Sequence, residues 1–142
     1  MNVARSGLMI TGTQTAGLGA IGYIPGSGPS TSTELYDGTS WTAAATAPSQ
    51  GYNANGGGPQ SSTFMSGGYP TTTTTSGFDG SVWYTLPSMA TGRALQAGFG
   101  SAGTDGIAAG GYNSTTGNYF STTEEWTGET VTTNPASNID VS

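Results

Sequence analysis

The sequence predicts an all-β chain built from three copies of a four-stranded unit. Three observations lead there. Gly recurs too often for long helices, aromatic residues fall at regular intervals, and two separate signatures repeat in step. The 142 residues include 25 Gly, and only two are Lys or Arg. Each Gly inside a helix costs about 1 kcal/mol relative to Ala, so the interruptions accumulate. A Gly, Ser and Thr excess alone would suit disorder. Three Trp, seven Tyr and four Phe spaced between Gly-rich turns instead suit short strands.

The first signature ends in Gly-Tyr. It appears as AGLGAIGY to Tyr23, STFMSGGY to Tyr69 and DGIAAGGY to Tyr112, with the tyrosines 46 and 43 residues apart. The second reads YDGTSW from Tyr36, FDGSVW from Phe78 and, more loosely, WTGETV from Trp126, with first members 42 and 48 residues apart. Two signatures that keep step mark an internal repeat.

Leu8-Met9-Ile10 supplies a first short strand. Ala16, Leu18 and Ala20, alternating with small residues, supply a second that suits a crowded axis. The third strand ends at the aromatic of the second signature, and the fourth begins at Trp41 or Trp83. Asp-Gly between them makes a tight turn, with Gly taking positive φ and Asp accepting local backbone hydrogen bonds. The aromatic and the Trp then pair across the hairpin. Tyr36, Trp41, Phe78, Trp83 and Trp126 are therefore the expected core of the units. Four strands over 42 to 48 residues describe a propeller blade. The expectation is a single domain over 1–142, with blades at about 3–50, 51–92 and 93–142.

These residues resemble the kelch family. Gly67-Gly68 and Gly110-Gly111 match its doublet, Tyr36-Asp37 and Phe78-Asp79 its aromatic-Asp pair, and Trp41 and Trp83 its strand-opening Trp. Arg5 and Arg93, 18 and 19 residues before Tyr23 and Tyr112, match its inter-blade Arg. The first repeat departs with Ile21-Gly22, the second lacks the Arg, and the third has Trp126-Thr127 and Val131. The phrases GTQTAGLGAIGY and TELYDGTSWT look like kelch-like repeat proteins of bacteriophages, particularly marine ones. That resemblance implies a virion structural protein on the particle surface: a head decoration, a fibre or a tail component. The alternative is a carbohydrate-binding module for host recognition.

Composition narrows the chemistry. With no His and no Cys, Ser-His-Asp and Cys-His arrangements and disulfides are excluded, and zinc lacks its usual ligands. No catalytic, cofactor or metal residues are expected, and the chain is read as a non-enzyme. Glu124 and Glu125 are adjacent, so on a strand they point to opposite faces. Asp37 and Asp79 hold one place in two units and read as turn acceptors. Gly56-Gly57-Gly58 lacks the Lys of a phosphate loop. Thr71 to Thr75 read as an exposed loop, or as a surface for glycan or a partner strand. Tyr23, Tyr69 and Tyr112 read as packing between units, with stacking on host-surface glycan as the alternative.

Net charge is −6, with only Arg5 and Arg93 positive, which argues against nucleic acid. No apolar run approaches the roughly 18 residues of a membrane span. Closed propellers usually have four to eight blades, so three cannot close a ring. The expected partners are a second copy, giving a six-bladed homodimer, and other virion proteins. Ile139 and Val141 are expected to add a strand to the neighbouring chain.

Overall fold

The computed structural model describes residues 1–49, 51–127 and 130–134. The expected strand at Ile139 and Val141 and the turn residue Gly128 lie outside them. Among the described residues there is no helix. The chain forms three four-stranded antiparallel sheets in succession.

The first sheet contains β1 (Met9–Thr13), β2 (Ala16–Ala20), β5 (Thr33–Tyr36) and β6 (Trp41–Ala43), in that order. A small hairpin, β3 (Tyr23–Ile24) with β4 (Gly28–Pro29), is inserted between its second and third strands. The second sheet contains β7 (Asn55–Gly57), β8 (Thr63–Ser66), β9 (Thr75–Phe78) and β10 (Trp83–Leu86). The third contains β11 (Ala97–Ala102), β12 (Asp105–Ala109), β15 (Thr123–Thr127) and β16 (Thr130–Asn134). Its inserted hairpin pairs β13 (Tyr112–Asn113) with β14 (Asn118–Tyr119). Each sheet is a meander, because every connection within it joins neighbouring strands.

Register fixes which positions correspond. Tyr36 stands opposite Gly17 and Trp41, and Phe78 opposite Thr63 and Trp83. Trp126 stands opposite Gly106 and Val131. Tyr36, Phe78 and Trp126 are thus one position, and Leu18, Phe64 and Ile107 another. The ring pairs Tyr36–Trp41 and Phe78–Trp83 have centroids 5.1 and 5.2 Å apart, as the hairpin argument requires.

Strand alternation gives each sheet two faces, and consecutive sheets pack face to face. The forward face of the first sheet brings Met9, Leu18 and Ala20 against Met65 and Phe78 of the second. The forward face of the second brings Phe64 against Ala108 and Trp126 of the third. Phe64 meets Trp126 edge to face at 4.8 Å. The first strands β1, β7 and β11 lie side by side, with β7 in the middle. Their contact is close. A Cβ on Gly56 would meet Met9 Sδ at 2.5 Å, and one on Gly98 would collide with Asn55 Nδ2.

The expected core aromatics divide by position. Phe78 and Trp126 are fully buried because each faces a preceding sheet. Tyr36 and Trp41 are only half-buried, since among the described residues no sheet stands behind the first. Trp83 is also half-buried, and its Nε1 donates to Thr33 Oγ1 and to the Ala45 carbonyl, both at 3.1 Å. It ties the second sheet to the first more than it fills a core.

Candidate functional site

The two cations serve structure. Arg93 and Glu124 are fully buried and 2.6 Å apart. Arg93 also donates to the carbonyls of Gly110 and Thr122, and stacks on Phe120 at 4.9 Å. Glu124 accepts from the backbone N–H of Ala90 and Thr91. Arg5 and Glu34 repeat the pair in the first unit at 3.2 Å, also buried. By register, Glu34, Ser76 and Glu124 are one position. Arg5, Gly51 and Arg93 are another, each just before a bridge from Ser6, Tyr52 or Ala94 to Tyr23, Tyr69 or Tyr112. The middle unit lacks both the Arg and its Glu. Losing both avoids the unpaired buried charge that losing one would leave. Sequence reasoning found the arginines and missed their partners. The available signal was a Glu two residues before Tyr36 and Trp126, replaced by Ser76 in the unit without Arg.

The exposed aspartates are turn acceptors. Asp37 Oδ1 accepts from the backbone N–H of Thr39 and Ser40, both at 2.8 Å. These bonds, with Ser40 the larger influence, bring its carboxyl down from 3.8 to about 2. Asp79 accepts in the same way from Val82 and Ser81, which lowers it too. Glu124 is buried and Glu125 half-buried on the alternate face, so the adjacent carboxylates do not converge. Among the described residues no group of three or more acidic side chains is placed to hold a metal ion.

Two of the three signature tyrosines gather where the first and second units meet. Tyr23 and Tyr69 flank Tyr52, with centroids at 5.6 and 4.9 Å, and both stay 40% exposed. Partial desolvation, helped by Tyr69 and Tyr23, pushes the Tyr52 hydroxyl up. Tyr112, half-buried, stacks instead on Tyr119 within its own unit. Tyr52, which joins two units, was not singled out in the sequence, because it carries neither signature. The Thr71 to Thr75 segment enters β9 at Thr75, which is fully buried, while Thr71 Oγ1 bonds Ser114 Oγ at 2.6 Å.

Two of the open features lie along the first strands and the outer face of the first sheet. A cleft of about 470 Å³ lies along the first strands, between Thr11–Thr13, Gly56–Pro59 and Gly98–Ser101. A second, of about 390 Å³, lies on the outer face of the first sheet beside Ile10, Gly17, Tyr36 and Trp41. Ile10 is 60% exposed there. At the other end of the array Phe99 is 69% and Leu95 65% exposed.

No protein-family model and no curated protein matches the chain. Among the solved structures, that of YjhT is similar, at 15% identity and a TM-score of 0.76. The match covers 94% of this chain and 46% of YjhT. At this identity the likeness shows the fold alone. This chain spans less than half the length of that neighbour.

Proposed function

We propose that the chain is a kelch-like β-propeller array serving as a non-enzymatic structural component of a bacteriophage particle, as a head decoration, a fibre or a tail component. One observation carries the non-enzymatic part. Both arginines and four of the eight carboxylates are engaged in repeat architecture: Arg93 with Glu124, Arg5 with Glu34, and Asp37 and Asp79 in equivalent turns. The blade reading is supported by three sheets of one topology whose first strands lie side by side. The phage reading rests on the wording of GTQTAGLGAIGY and TELYDGTSWT. Its expected partners are further copies and other virion proteins.

Immunogold labelling of purified phage particles with an antibody to this chain tests the proposal. Labelling at the head or tail is expected. Signal confined to the soluble fraction of the lysate contradicts it.

A second reading, host-surface glycan binding, is favoured by the Tyr23–Tyr52–Tyr69 strip, whose outer rings offer apolar faces and polar tips to solvent. Binding on a glycan array that is lost in Tyr69→Ala would support it.

A further inference from the structure

The three units are joined by one rule, and the rule leaves one donor and one acceptor over. Gly7, Asn53 and Leu95 occupy one position, and all three are left-handed, with φ of 59°, 57° and 58°. The Asn53 N–H donates to the Gly7 carbonyl at 2.6 Å, and the Leu95 N–H donates to the Asn53 carbonyl at 3.1 Å. Among the described residues nothing accepts the Gly7 N–H and nothing donates to the Leu95 carbonyl. The chain of bonds therefore has a free donor at its first unit and a free acceptor at its last.

The sheet faces carry the same asymmetry. Leu18 and Phe64 on forward faces are fully buried, while the equivalent Ile107 is half-buried. Phe78 and Trp126 on rear faces are fully buried, while the equivalent Tyr36 is half-buried. Bulk is complementary at the two ends. Inside the chain, Met9 and Asn55 project onto Gly56 and Gly98. By register the next member of the first set is Ala97, and the preceding member of the second is Ile10. At the open ends the small residue is on the forward side and the large one on the rear side, so the two fit each other with the volumes exchanged. Exposed apolar side chains stand at both ends, Phe99 and Leu95 at one and Ile10 beside the half-buried Tyr36 and Trp41 at the other, and together they make apolar patches of the kind that mark interaction surfaces.

We infer that a second copy of this chain docks head to tail, setting Ala97, Phe99 and Ile107 of each copy against Ile10, Tyr36 and Trp41 of the other. The Leu95 carbonyl accepts the Gly7 N–H across both junctions. Two such junctions related by a two-fold axis close the assembly. The fold tolerates this much more material, since YjhT carries more than as much chain again beyond the part that matches. The inference rests on the propeller reading of the fold, and it names the partner and the contact.

Two measurements decide it. Sedimentation equilibrium should give twice the 14.1 kDa monomer mass. Phe99→Asp and Ile10→Asp should each weaken association at least about tenfold, with the far-UV circular dichroism of the parent. The chain has no Cys, so single cysteines report contact cleanly. Ile10→Cys and Ala97→Cys chains, each alone, should not be joined by a short bismaleimide, whereas their mixture should be. Cross-linking of either variant with itself, a folded monomer at all concentrations, or a ladder of masses beyond two would overturn the inference. Any of those results leaves the particle role standing, since labelling of virions tests that separately.

Discussion

The buried Arg93–Glu124 pair shows how single residues constrain this fold. Both charges are out of water, and the carboxylate also holds two backbone N–H groups of the preceding loop. Glu124→Ala strands the guanidinium and frees those donors. It should destabilise by about 3 to 5 kcal/mol. Arg93→Met combined with Glu124→Ser removes both charges, as the middle unit does, and should cost less than the single change. Urea denaturation of the two variants checks the order. A single variant as stable as the parent would show that the pair is not needed. In the sequence both halves of this device leave a mark. Arg5 and Arg93 keep a fixed distance from the Gly-Tyr signature, and Glu34 and Glu124 stand two residues before Tyr36 and Trp126, but only β2–β5 and β12–β15 register shows that the two marks are partners.

Among the elements, the aromatic hairpins were the most legible feature. Aromatic, Asp-Gly and Trp at fixed spacing specify a turn, a register and a cross-strand pair without reference to the rest of the chain. Depth of burial was not legible, because it depends on whether another sheet stands behind. Trp126 presses on Phe64 and is fully buried, while Trp41 covers Gly19 at the open end of the array. Trp126→Ala should therefore cost about 3 to 5 kcal/mol, and Trp41→Ala clearly less in the isolated chain. Denaturant midpoints of the two variants give the comparison. Equal losses would mean that the two tryptophans stand in the same environment. The small hairpins β3–β4 and β13–β14 were not foreseen. They are two-residue strands in loops whose Gly, Ser, Thr and Asn content reads only as turn.

In the whole molecule, three sheets of one design stack through one repeated junction. The sequence period made the number of units legible. It could not show the junction, whose backbone bonds run between Gly7, Asn53 and Leu95, three residues that share no side-chain type. What they share is a left-handed backbone, which Gly and, less strongly, Asn favour and Leu does not announce. Amide hydrogen exchange at these positions tests the claim most directly. The Asn53 and Leu95 amides donate across units, so they should exchange at least about a hundredfold more slowly than the amide of Gly26 in the exposed β3–β4 turn. Exchange of Asn53 and Leu95 at the rate of Gly26 would contradict the repeated junction and, with it, the stacking of the three sheets.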